Sequence, residues 1–355
     1  MTIRGSVRMM FGALLLGATA AWGNGSVAGP VEPLRVIGFG SCLHQSRGQY
    51  FWEPLLEQNP ELFIFAGDNI YSDTYDMARQ REKYAQLGAQ PGFQQLKARC
   101  PLMAIWDDHD YGLNDSDVSF PQKEESKQNF LDYFEIPADS PRRAREGLYD
   151  AQVFGPEGQR VQVILLDLRY FRSPMHTLDD PSAVDGKYGI TTDTNTIMLG
   201  EAQWAWLEEQ LRVPAEVRLL VSTIQVVADE HYWERWGALP HEQKRLYDLI
   251  RRTGAEGLVI LSGDRHQAEL SRKDDAIGYP LYDLTSSGLN MARGELFGEK
   301  ASYRVGKPFQ WNNFGILRIA WDLPEPTLTL QVYNTYGRTV ISETLPLSRL
   351  QNPKP

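Results

Sequence analysis

The sequence predicts an α/β protein in which the buried strands of a parallel or mixed sheet are covered by helices. Three observations carry that reading: several short runs are apolar almost throughout, several longer segments repeat apolar residues at helical spacing, and the C-terminal part alternates apolar with polar residues.

The first apolar run, residues 34–39, leads into Gly40-Ser41-Cys42. The second, 62–66, leads into Gly67-Asp68-Asn69-Ile70-Tyr71, and the third, 102–105, into Trp106-Asp107-Asp108-His109-Asp110-Tyr111-Gly112. Helical spacing follows over 123–135. Residues 161–166 then end in Asp167-Leu168-Arg169. Segments 201–212 and 241–252 read as helices, the first of them laying Trp204 and Trp206 on the sheet. The run 258–261 ends in Ser262-Gly263-Asp264-Arg265-His266, and stretches such as 327–332 predict antiparallel strands. Open α/β sheets bind ligands outside the carboxyl ends of their strands, and every one of these polar clusters falls there. If the strands are neighbours, one sheet edge carries Cys42, Asp68, Asp107, Asp108, His109, Asp167, Asp264 and His266. Gly40, Gly67 and Gly263 precede candidate ligands where a sharp bend calls for positive φ or close backbone approach; each alone also reads as loop punctuation.

The chain has 355 residues, enough for two domains or one large α/β unit. With 42% hydrophobic and 23% charged residues it can bury a substantial core, which excludes the disordered and fibrous classes. A formal net charge of −10 argues against nucleic acid or an anionic membrane as an electrostatic partner, although a metal cluster would reverse the sign locally.

Residues 1–23 read as a secretory leader. Arg4 and Arg8 precede the apolar stretch 11–20, and small residues follow at Ala21 and Gly23. The stretch is too short to span a bilayer, so export to the periplasm or the exterior is expected, without a stable membrane anchor. A short linker over 24–33 then leads to one domain over 34–350, with no room for a preceding extra domain. Of the two cysteines, Cys42 ends the first run and Cys100 begins the third. A disulfide is one reading in an oxidising compartment. A thiolate metal ligand at Cys42 is preferred, because opposite ends of a sheet lie beyond the roughly 7 Å that a bridge allows between Cα atoms.

Taken in order, Gly40 to Cys42, Gly67 to Tyr71, Trp106 to Gly112 with Asn114, Leu166 to Arg169 and Ser262 to His266 resemble the PhoD-type alkaline phosphatase/phosphodiesterase family. This is a branch of the calcineurin-like metallophosphoesterases. Phe120 to Lys123, Asp283 to Gly288 and Asn313 to Gly315 extend the resemblance, which covers roughly residues 34–320.

The resemblance implies a four-layer αββα sandwich, two mixed β-sheets face to face with helices outside. It also implies ferric iron (Fe3+) held partly by a cysteine and a tyrosine, with calcium (Ca2+) beside it, other divalent metals being compatible. Residue by residue, Cys42 matches the cysteine ligand, Asp68 the bridging aspartate and Asn114 the asparagine ligand. Asp107, Asp264 and His266 match further metal positions. The tyrosine ligand, expected about two dozen residues before the Asp-Asp-His motif, points to Tyr84, with Tyr71 and Tyr75 as rivals.

The implied activity is hydrolysis of a small phosphate mono- or diester by a metal-activated water. Asp68 suits bridging because its two oxygens can serve different ions. His109 suits protonation of the leaving alkoxide, and Arg265 a forked clamp on phosphate. Each has a plainer reading beside it: Arg265 in an ion pair, Asp108 and Asp110 orienting His109 or a loop, Asp167 with Arg169 as a structural pair, and His44 and His231 as solvated loop residues. The aromatic segment His231 to Trp236 either walls the substrate cleft or seals a loop. The alternative for the whole chain is a catalytically silent metal- or phosphate-binding protein on the same fold.

Overall fold

The computed structural model describes residues 32–294 and 299–353; the expected leader lies outside them. In chain order the strands are β1 (Val36–Gly40), β2 (Leu62–Ala66), β3 (Leu102–Ile105), β4 (Asp150–Phe154), β5 (Val161–Leu165), β6 (Val217–Ser222), β7 (Leu258–Ser262), β8 (Ala268–Lys273), β9 (Leu281–Ser286), β10 (Arg304–Phe309), β11 (Asn313–Ala320), β12 (Thr327–Asn334) and β13 (Thr339–Pro346). They form two mixed sheets, ordered β13-β12-β11-β1-β2-β3 and β10-β8-β9-β7-β6-β5-β4. The α/β architecture of two mixed sheets with helices is the one expected.

The continuous apolar runs become the parallel strands. β2, β5 and β7 are buried at every position, which only a strand covered on both faces requires. Parallel neighbours need crossovers, and helices supply them: Trp52–Glu57 joins β1 to β2, Met77–Gly88 and Pro91–Arg99 join β2 to β3, and Glu201–Leu211 lies between β5 and β6. Pro240–Thr253 joins β6 to β7, starting on a proline and stopping at Gly254 with φ 67°. The alternating stretch becomes β12, paired antiparallel with β11 and β13. Buried side chains from both sheets join one hydrophobic cluster.

The functional edge differs from the expectation in one respect. β1, β2 and β3 end in one sheet, whereas β5 and β7 end in the other, so the polar clusters meet across two sheets and not along one. Backbone bonds stitch the two edges together: Ser41 N–H donates to Ser286 O (3.2 Å), while Gly288 and Leu289 N–H donate to Ser41 O (3.2 and 3.0 Å). Cys42 and Cys100 are both buried free thiols, at opposite ends of their sheet.

Candidate metal centre

The strand ends turn sharply to aim their side chains inward. Cys42, Asp68, Asp264 and His266 all adopt the left-handed region, with φ of 59°, 51°, 66° and 55°. Each such residue costs of order 1 kcal/mol, a strain that persists only where the surroundings impose it. Gly67 (φ 92°) and Gly263 permit the approach. A Cβ on Gly67 would sit 2.7 Å from that of Asp107, and one on Gly263 would sit 2.6 Å from Ser41 Oγ.

Cys42 Sγ lies 3.4 Å from Asp68 Oδ2 and 3.1 Å from Ser287 Oγ. The Tyr71 hydroxyl donates to the same Asp68 oxygen at 3.3 Å and lies 3.1 Å from His266 Nε2. The His109 ring lies against the Tyr71 ring, centroids 4.1 Å apart and tilted by 34°, and its Nδ1 is 2.7 Å from Asp73 Oδ1. Three groupings bring their ligand atoms within 4.8 Å of one another: Cys42, Asp68 and His266; Asp68, Asp108 and His109; Asp107, Asp108 and Asp264. Asp68 belongs to the first two and Asp108 to the last two, so the groupings form a row. Asp68 Oδ1, Asp107 Oδ2 and Asp108 Oδ1 are buried without a hydrogen-bond partner. Buried carboxylate oxygens without partners are costly, and cations are the partners this donor set fits.

The electrostatics agree. Burial, with Cys42 and Asp108 adding to it, pushes the Asp68 carboxyl well above its ordinary range. Burial, then Glu234 and Asp107, does the same to Asp264. Burial pushes the Cys42 thiol up to about 11 and the Tyr71 phenol well up. For Asp108, burial is outweighed by His109 and Arg169, which hold it below the usual carboxylate range. Burial also opposes charge on His109, but Asp108 and Asp68 override it and raise the imidazole to about 11. Burial, His109 and Arg293 push His266 down to about 4, leaving it a neutral donor.

Several expected residues stand elsewhere. Tyr84 is not in the cluster: it is buried among Phe130, Tyr133 and Phe134, its hydroxyl without a partner. The helix Met77–Gly88 points that side chain into the aromatic core, and it is the Tyr71 hydroxyl that lies beside Asp68 and His266. Tyr75 is exposed, stacked on Phe120. Asn114 is exposed in the turn after the short helix Asp108–Tyr111, outside the buried cluster. Arg265 turns its guanidinium to Glu299 in a buried ion pair, the plainer of its two readings. Asp167 does not pair with the Arg169 side chain; it accepts the backbone N–H groups of Leu148, Arg169 and Tyr170.

Arg169 serves the centre instead. It bonds Asp107 Oδ1 at 2.5 Å and Glu234 at 2.6 Å, and Arg172 holds the other Glu234 oxygen at 2.5 Å. Thr223 Oγ1 donates to Asp107 Oδ1 at 2.7 Å. Asp107 thus offers a single open oxygen, and Asp108 is the more central carboxylate. Asp110 braces the loop, accepting from Asp107 N (2.5 Å) and Asn69 N (3.1 Å). Glu234, Thr223, Arg172 and Asp73 were not singled out by sequence. Glu234 had a signal, an acid inside an aromatic segment, and the others had none. A further acidic grouping, Asp108, Asp115 and Glu234, is already neutralised by Arg169, Arg172 and Lys187.

Two predictions arise here. Tyr71→Phe lowers metal affinity by about 10-fold or more, whereas Tyr84→Phe leaves metal content unchanged and stabilises the fold by up to ~1 kcal/mol by removing an unpaired buried hydroxyl; elemental analysis and melting curves check both. The second concerns metal-stripped protein. Burial raises Asp107 to about 6 and Asp110 to about 8. A carboxyl raised in this way stabilises the fold while protonated; that contribution is complete below its unfolded value and lost as pH rises through the native one. The His109 contribution, raised likewise, is lost in the same direction. Chelated protein therefore melts at a lower temperature at pH about 9 than at about 6.5, and added metal removes most of the difference.

Two mixed sheets meeting at a buried row of thiol, carboxylate and imidazole groups define an α/β protein built around a metal-type centre. A family model described as PhoD-like phosphatase matches residues 37–288. The chain belongs to the PhoD-like phosphatase family, and it is a phosphoesterase. A solved structure titled "Structure of PhoD" superposes with a TM-score of 0.67 at 17% identity, covering 89% of this chain and 73% of that one, which supports the fold. The Vps29 of Chaetomium thermophilum aligns with a TM-score of only 0.32 at 9% identity, over 88% of this chain and 97% of that one. No curated protein matches the chain.

Proposed function

We propose that this protein is an exported, metal-dependent phosphoesterase that hydrolyses small phosphate mono- or diesters at neutral to alkaline pH. The observation that carries the reading is the set of buried, unpartnered oxygens on Asp68, Asp107 and Asp108 beside Cys42 and His266. Cys42, Tyr71, Asp68 and His266 offer sulfur, phenol, carboxylate and imidazole donors that suit ferric iron, and Asp68, Asp107, Asp108 and Asp264 offer the oxygens that calcium prefers. Such cations, when bound, lower the pKa of water and neutralise charge on a phosphoryl group.

The remaining work falls to the chain. Asp68 joins the first two groupings of ligands, so its removal uncouples them. His109, charged through Asp68 and Asp108 and oriented by Asp73, is placed to give a proton to the leaving oxygen. Its side chain is 15% exposed, enough to be reached from solvent. The leader over residues 1–23 supports export, and the net charge of −10 supports a small-molecule substrate over nucleic acid. Among the described residues no helix is long and apolar enough to cross a membrane.

The test is hydrolysis of aryl phosphate mono- and diesters by purified protein, before chelation, after it, and after metal is restored. Turnover is expected to disappear on chelation and to return with the metal. Turnover indifferent to chelation, or none in metal-loaded protein, would contradict it.

A further inference from the structure

We propose that the hairpin over residues 176–189 is a strap beside the metal centre that limits the size of the ester group admitted to it, an inference that rests on the phosphoesterase reading above. The ligand row is buried, so an ester reaches it between the loops that carry the ligands, and this hairpin is tied to loops at both ends of the row. On one side Lys187 Nζ lies 2.6 Å from Asp115 Oδ2. Asp115 in turn donates its backbone N–H to Asp108 Oδ2 at 2.7 Å, and one of its carboxylate oxygens stands within 4.8 Å of one on Asp108. On the other side Asp185 Oδ2 lies 3.3 Å from the guanidinium of Arg293, whose backbone N–H donates to His266 O at 2.9 Å. A third tie joins the hairpin to the aromatic segment: the N–H groups of Lys187 and Tyr188 both donate to Tyr232 O at 2.7 Å. Gly186 permits that approach, since its φ is 141° and a Cβ there would sit 2.5 Å from the Tyr232 carbonyl carbon.

The hairpin is rooted at its base and bare at its tip. Met175 and Tyr188 are buried, and Thr177 pairs with Tyr188. Leu178 N–H donates to Lys187 O and Gly189 N–H to His176 O, each at 3.0 Å. Residues 179–183 are exposed at every position. Lys187 is 45% exposed and Asp185 39%, so solvent screens both ion pairs and each contributes little. A bulky group can therefore displace the strap at small cost, whereas Asp107 and Asp108 are held by buried partners. Size is discriminated by the strap, while the ligands act on any ester that reaches them.

The experiment titrates two phosphonates of equal charge, methylphosphonate and naphthylmethylphosphonate, into metal-loaded, full-length protein by calorimetry, and follows hydrogen exchange over residues 177–187. Asp185→Asn combined with Lys187→Met is expected to exchange faster there with metal content unchanged. It should bind methylphosphonate within about twofold of the wild type and naphthylmethylphosphonate at least about threefold more tightly. A smaller gain for the larger ligand, or weaker binding of both, overturns the inference, the second because it would mark a general disruption of the site. Unchanged exchange overturns it equally, since the two ion pairs would then hold nothing. The same preparations are assayed on methyl and naphthyl esters of p-nitrophenyl phosphate. The expected shift in affinities without hydrolysis of either ester would overturn the phosphoesterase reading alone.

Discussion

Asp68→Asn is expected to lower kcat/KM for phosphate esters by about 10³-fold or more, equivalent to ~4 kcal/mol of transition-state stabilisation, while the fold survives. Asp68 belongs both to the grouping with Cys42 and His266 and to the one with Asp108 and His109. An amide keeps the shape and loses the charge that cations require. The same substitution is expected to stabilise metal-free protein at pH about 8 by ~1–3 kcal/mol, because burial already disfavours the ionised Asp68. Opposite signs for activity and apo stability mark a residue kept for function. Equal activity, or a loss of both together, would remove Asp68 from the role.

Arg169→Met is expected to be the most damaging single change to stability, at about 3–5 kcal/mol. The guanidinium sits between Asp107 and Glu234, with Asp108 at 3.6 Å, and all four side chains are almost wholly buried. Asp107 and Glu234 outweigh the burial that opposes its charge and hold it firmly protonated. Without it Asp107 loses its counter-charge and is no longer aimed, and Glu234 is left with Arg172 alone. Adding Glu234→Gln to Arg169→Met should recover part of the loss, with a coupling of ~1–3 kcal/mol in denaturant unfolding. Strict additivity would show that the two side chains do not act as a unit.

The sequence discloses the site wherever an apolar run stops abruptly at polar residues, because chain direction puts the carboxyl ends of parallel strands on one side. That logic picks out Cys42, Asp68, Asp107, Asp108 and Asp264, which the fold brings together, yet it is blind to sheet membership. The stitching of Ser41 to Ser286 and Gly288, which joins the two edges, leaves no trace in hydropathy. β8 was hidden because Glu269, buried and paired with Arg304, interrupts its apolar pattern. Tyr71 and Tyr84 illustrate the limit of counting residues. Tyr71, three after Asp68, follows the same left-handed turn into the centre, whereas Tyr84 lies on a helix whose buried face includes Met77, Gln80 and Leu87. Arg265 shows another limit, since its partner Glu299 is thirty-four residues distant and only the fold brings the two together.

The most direct measurement is a crystal structure of protein prepared with iron and calcium, with anomalous scattering recorded to identify the ions. One ion is expected bonded to Cys42 Sγ, Tyr71, Asp68 and His266, and another bonded to Asp68 or Asp108 on the side of Asp107 and Asp264. Cys42 and Asp68 free of metal in that crystal, with their oxygen and sulfur atoms hydrogen-bonded only to water or protein, would contradict it.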